Sequence, residues 1–141
     1  MRRLLFAAAL VVPTALVPAA VVPALADDDV PGCENASSNV EIGNCVAAAY
    51  QKADAALNAA WKKALAVIDA SSGDMPADAL AEWKSTLTAG QRAWVTFKEE
   101  DCGAVEYEWW GGSGASIAET TCLYEHTTHR LKQLEERYGD R

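Results

Sequence analysis

Apolar residues recur along this chain at spacings of three, four and seven, the period of helices with one buried face. From Glu41 to about Asp69, Tyr50, Asp54, Leu57, Trp61, Leu65 and Ile68 form one such stripe, in a proline-free background rich in Ala, Lys and Leu. Ser38-x-x-Glu41 has the form of a capping box in front of it. Ser71-Ser72-Gly73-Asp74 ends the run, and Pro76 suits the start of the next. There the stripe is Leu80, Trp83, Leu87, Trp94 and Phe97, which predicts a second helix from Ala77 to about Glu99. Gln91 falls inside that stripe.

Cys102 to Ser116 has no clean period. Its aromatics Tyr107, Trp109 and Trp110 run into Gly-Gly-Ser-Gly, which predicts an ordered loop. A second capping box, Ser116-x-x-Glu119, should open a third helix that buries Ile117, Tyr124, Leu131, Leu134 and Tyr138. No repeat and no alternating strand pattern is present. The expected fold is all-α, a compact up-down-up bundle of three main helices.

The front of the chain belongs to none of this. Arg2 and Arg3 precede an apolar run from Leu4 to Val22, and Ala24-Leu25-Ala26 is a small-x-small cleavage site. Residues 1–26 therefore have the layout of a signal peptide, interrupted by three prolines as a membrane anchor would not be. Three aspartates separate that run from Cys33, which argues against lipid attachment there. Residues 27–36 are expected to be a flexible acidic arm and residues 37–141 the helical domain. Secretion or residence in a periplasm follows, with no membrane insertion after cleavage.

Charge narrows the partners. Without Arg2 and Arg3, ten basic residues face twenty acidic ones, a formal net charge of −10. Such a surface disfavours nucleic acid and favours cationic partners. Four cysteines, Cys33, Cys45, Cys102 and Cys122, fit two disulfides in an oxidising compartment. Of the three connectivities, Cys33–Cys45 with Cys102–Cys122 is favoured. The first would fold the arm along helix one, and the second would close off the aromatic loop. Crossed pairing stays open.

Candidate chemistry is sparse. Cys122 and His126 lie four apart on one helix face, with His129 aside, but zinc wants further ligands and a thiolate not spent in a disulfide. No metal site is expected. Asp54 in its apolar stripe needs a donor, and Arg92 or Arg130 with Gln91 would make a structural polar network. No catalytic triad, phosphate loop or metalloprotease motif is legible, so neither catalysis nor a cofactor is expected. Glu106, Tyr107, Trp109, Trp110, Gly111, Gly112 and Ser113 are the best candidates for a partner-binding loop, because exposed aromatics held still carry much of the energy of protein contacts. One tryptophan is expected inside, lidding the core, and one outside.

These residues, in this order, resemble the lysozyme-inhibitor LprI-like domain. The resemblance rests on Cys33 and Cys45, then Tyr50, Ala53-Asp54 and Leu57-Asn58, then Leu87, Gln91-Arg92, Trp94, Phe97 and Cys102. Gly111-Gly112-Ser113, Cys122, Arg130 and Leu134 complete it. Lys98 stands where the family usually has arginine. The resemblance implies an exported, disulfide-bonded helical protein that binds and blocks a lysozyme-type muramidase, host or bacterial. The rival expectation is a cell-envelope interaction module without inhibitory activity. Animal lysozymes are cationic and work with paired carboxylates in a sugar-binding cleft. Trp109, Trp110 and the Gly-Gly-Ser turn would form the plug, with Ser113 or a backbone amide donating to a carboxylate.

Overall fold

A computed structural model describes residues 30–139. The expected signal segment and Asp27–Asp29 lie outside them. Three helices make up the fold: α1 (Asn39–Ala70), α2 (Ala77–Glu108) and α3 (Ala115–Tyr138), with a short 3-10 turn, Ser71–Gly73, after α1. Among the described residues there is no strand, and no helix is long and apolar enough to cross a membrane.

Where a flexible arm was expected, residues 30–36 form two successive turns closed by Cys33 N–H to the Val30 carbonyl and Ala36 N–H to the Cys33 carbonyl. Val30 is buried, and the Cys33–Cys45 disulfide ties these turns to α1. The capping box forms as expected. Ser38 Oγ accepts from the Glu41 N–H at 3.2 Å, and the Glu41 carboxylate accepts from the backbone of Ser38 and Ser37. These donors hold the Glu41 carboxyl below its ordinary pKa, the Ser37 N–H most of all.

Pairings along the helices give the topology. Gly43 lies beside Ile117, Leu57 and Ala64 cluster with Leu134 and Tyr138, and Lys63 donates to the Gly139 carbonyl, so α1 and α3 run parallel. The salt bridge Lys84–Asp69 (2.8 Å), the Lys98–Tyr50 and Gln91–Arg130 hydrogen bonds and the Cys102–Cys122 disulfide run the opposite way, so α2 is antiparallel. This is the expected up-down-up bundle with the favoured disulfides. Each bridge closes a short loop, worth about 3 kcal/mol in the chain-entropy account.

The buried face of α1 is Val46, Ala53, Leu57, Ala64 and Ile68. It shares only Leu57 and Ile68 with the predicted stripe. Alanines at the seam let α3 pack closely against α1, whereas α1 and α2 approach sparsely. Trp61, Trp83 and Trp94, all half-buried, pack against the common core.

Two helix boundaries differ from expectation. Helix α2 continues nine residues past Glu99. Its bundle face passes from Trp94 to Lys98, Cys102 and Val105, a four-four-three spacing carried by a lysine and a cysteine that apolar patterning overlooks. Phe97 consequently sits beside the stripe, 54% exposed, edge-on to His126 at 5.4 Å. At the other boundary, α3 starts behind Gly114 with no side-chain cap. Ser116 is already helical, and its carbonyl accepts from Thr120 Oγ1, so the second capping box does not form. Buried positions of α3 are Thr127, Leu134 and Tyr138, while Ile117, Tyr124 and Leu131 are half-buried.

Candidate partner-binding tip

The α2–α3 connection is short and built from defined bonds. Glu106 and Tyr107 are not in a loop: they belong to the last turn of α2. The turn proper is Trp109 to Gly114. Within it the Trp110 N–H donates to the Tyr107 carbonyl, the Gly112 N–H to the Trp109 carbonyl at 2.7 Å, and the Ala115 N–H to the Gly112 carbonyl. Gly111 adopts φ +75°, a conformation glycine takes without steric cost. The Trp109 ring folds back towards Gly114 and Gly112, where a Cβ would lie 3.5 and 3.9 Å from it.

Neither tryptophan lids the core. Trp109 is 53% exposed, Trp110 79% and Tyr107 70%. The cause is the extra length of α2, which carries the turn beyond the packed part of the bundle. Tyr107 and Trp110 instead lie nearly parallel, 7° apart with centroids at 5.9 Å. Asn39 Nδ2 donates to Ser113 Oγ at 3.0 Å and so fastens the turn to the first residue of α1. Val40, next to it in sequence, is 73% exposed. The Cys102–Cys122 bridge, with Cys102 fully buried, braces the base of the tip.

Charge follows the same axis. Residues 27–51 and 99–129 contain twelve acids and no lysine or arginine. The parallel–antiparallel–parallel arrangement brings the described part of both stretches to the tip half of the bundle: the start of α1, the end of α2 and the first part of α3. All ten basic residues after position 26 lie at positions 52–98 and 130–141, and the described ones run from the middle of the bundle to its opposite end. The exposed aromatics thus crown a wholly acidic pole. Glu106 and Glu108 flank Tyr107 and are exposed.

The expected polar network forms only in part. Arg130 Nε donates to Gln91 Oε1 at 2.8 Å, and its Nη1 donates to Gln133. Burial, and then repulsion from Arg137, lowers the Arg130 pKa. Asp54 instead accepts from Asn58 Nδ2 one turn along α1 at 2.9 Å, and the Arg92 side chain is exposed. The residue missed is Lys98, only 5% exposed, whose Nζ donates to Tyr50 Oη and lies 5.2 Å from the Trp94 ring centroid and 5.3 Å from that of Tyr50. Arg130 also lies over Trp94, at 6.0 Å. Its i+4 position from Trp94 was the available signal. This cluster joins all three helices, about 13 Å along α2 from Tyr107 at 1.5 Å per residue.

Cys102, Cys122 and His126 do group their ligand atoms within 4.8 Å. Both sulfurs are committed to the disulfide, so neither supplies a thiolate. His126 pairs with Asp101 across α2 and α3 at 3.0 Å, and His129 is exposed. Open grooves run beside the later part of α1, one of them lined by Ala56, Ala60, Lys63, Leu134 and Tyr138. They lie at the end opposite the tip.

Comparison with known proteins identifies the family. The family model described as lysozyme inhibitor LprI matches residues 33–134, from the first cysteine to the buried leucine of α3. An uncharacterized protein of Rhizobium meliloti (strain 1021) is 32% identical over 117 residues, covering 81% of this chain and 84% of that protein. No solved structure matches. That family is one of inhibitors rather than enzymes, in keeping with the expectation of no catalysis. By the extent of the family match, the chain belongs to the LprI family of lysozyme inhibitors.

Proposed function

We propose that this protein is an exported inhibitor that binds a lysozyme-type muramidase through the Tyr107–Ser113 tip and blocks its cleft. The single observation that carries the reading is the coincidence of a braced, exposed aromatic tip with a pole containing no lysine or arginine. Such a pole steers a cationic protein towards it, and repels a second copy of itself. A turn fixed before contact avoids the ordering cost that weakens flexible loops.

Ser113 suits the chemistry of a muramidase cleft, which works with paired carboxylates. Its Oγ already accepts from Asn39, so its own proton is free for an acceptor on the partner. Trp109 and Trp110 offer flat apolar rings where the enzyme would hold sugar rings. Export, to the periplasm or beyond the cell, fits the two disulfides, the signal-like segment and the family assignment.

The test is inhibition by the oxidised chain carrying Trp109→Ala, Trp110→Ala and Ser113→Ala together. The folded triple variant should lose inhibition by about 30-fold or more, as for loss of a single interface hot spot of about 2 kcal/mol. Undiminished inhibition by a variant with wild-type helicity would remove the tip from the mechanism. Salt-sensitive binding that never slows turnover would instead favour an envelope interaction module.

A further inference from the structure

We propose that the Tyr107–Trp110 pair is a docking site for an arginine side chain of the partner. The inference rests on the reading above that the tip is the contact surface. It assigns the chemistry that this surface recognises.

The two rings are nearly parallel, 7° apart, and their centroids stand 5.9 Å apart. At 70% and 79% exposure, both residues keep ring surface open to solvent. Aromatic faces carry negative potential and attract cations, and a guanidinium, being planar and weakly hydrated, stacks on them better than an ammonium does. Glu106 and Glu108 neighbour Tyr107 in the last turn of α2 and are exposed, so they add negative charge around the rings that favours a cation there.

The chain's own cations identify what is lacking at the tip. In the middle of the bundle, Lys98 lies over Trp94 and Tyr50, and Arg130 lies over Trp94. The same pairing of aromatic face and cation is satisfied there internally. At the tip no lysine or arginine occurs anywhere between residues 99 and 129, so the open faces await a cation from outside. A purely apolar partner would leave the two carboxylates without donors, and a second copy would bring acid against acid.

The experiment uses the full oxidised chain after its signal segment and a blocked tripeptide, glycine-arginine-glycine, at physiological ionic strength. The readout is the indole N–H resonance of Trp110, one of five tryptophans, assigned by its loss in Trp110→Phe. The arginine peptide should shift that resonance saturably. The lysine analogue should bind about threefold to fivefold more weakly, and the uncharged citrulline analogue should give no saturable shift. Trp110→Leu and Glu106→Gln/Glu108→Gln should each weaken the arginine peptide, read from backbone amides of the turn. Equal binding of arginine and lysine, or shifts spread over all acidic segments without focus on Trp110, would overturn the assignment. A wild-type chain that inhibits a muramidase while Trp110 shows no arginine preference sinks this inference alone. Arginine capture without inhibition sinks the inhibitor reading alone.

Discussion

Lys98 is a buried ammonium whose recorded partners are a phenol oxygen and two aromatic rings, with no carboxylate among the salt bridges of the described residues to offset its charge. Two substitutions separate what its stem and its charge contribute. Lys98→Met keeps most of the stem and removes the cation. It loses a hydrogen bond worth about 1 kcal/mol and cation–π attraction of about 1–2 kcal/mol, and it relieves part of the cost of burying a charge. The net expectation is a loss of about 1 kcal/mol. Lys98→Ala also removes three methylenes at about 0.8 kcal/mol each, so its loss should reach about 3 kcal/mol. At about 4 °C per kcal/mol for a domain of this size, the melting temperature should fall by about 4 °C and about 12 °C respectively, followed by far-UV circular dichroism. A double-mutant cycle of Lys98→Met with Tyr50→Phe should show a coupling of about 1 kcal/mol. Lys98→Met as stable as the wild type, with no coupling to Tyr50, would refute the reasoning and make the ammonium a mere burden.

Three further outcomes follow from local geometry. Thr127 is fully buried and its hydroxyl has no partner, so Thr127→Val should stabilise the fold by about 1 kcal/mol in urea titration; a loss of similar size would mean the hydroxyl is satisfied in solution. Gly111→Ala puts a Cβ on a residue at φ +75°, which should cost about 1–2 kcal/mol and broaden the Trp109 and Trp110 resonances; an unchanged spectrum would contradict the turn geometry. The Glu41 carboxyl is held below its ordinary pKa chiefly by the Ser37 N–H and hydroxyl, then by Ser38, and Glu34 by the Gly32 N–H. With folded values depressed, their stabilising contribution is present above the unfolded glutamate pKa and disappears as pH falls through the folded one. Glu41→Gln should therefore flatten the stability–pH curve below about pH 4.5 and leave its slope near neutrality unchanged; a curve parallel to wild type would refute the assignment.

How far the sequence could be read depended on which groups carry the signal. The capping box at Ser38 and Glu41 is a local hydrogen-bond pattern, and it forms as written. The helix count and the disulfides were likewise legible, because each rests on short-range spacing. The α2 extension was not, since its bundle face beyond Trp94 is Lys98, Cys102 and Val105 and most other positions there are exposed. That error in length propagated into the site: a nine-residue extension turns a loop with one inward tryptophan into a projecting tip with both exposed. Asp54 was assigned a cationic partner on the premise that it sits in the core stripe. Ala53 takes the buried position instead, which leaves Asp54 at the edge, where Asn58 suffices.

The polarity of the bundle was present in the sequence as two lysine- and arginine-free stretches, but only the up-down-up topology places them at one end. The acidic pole and the aromatic tip coincide through that topology, and their coincidence is what the functional proposal stands on.

The most direct test is the activity of a cationic, chicken-type lysozyme on cell walls, titrated with oxidised residues 27–141 at physiological salt. The account predicts saturable inhibition at one-to-one stoichiometry, weakened about 30-fold or more in the Trp109, Trp110 and Ser113 triple variant. Full turnover at tens of micromolar of folded protein would contradict it for this enzyme class.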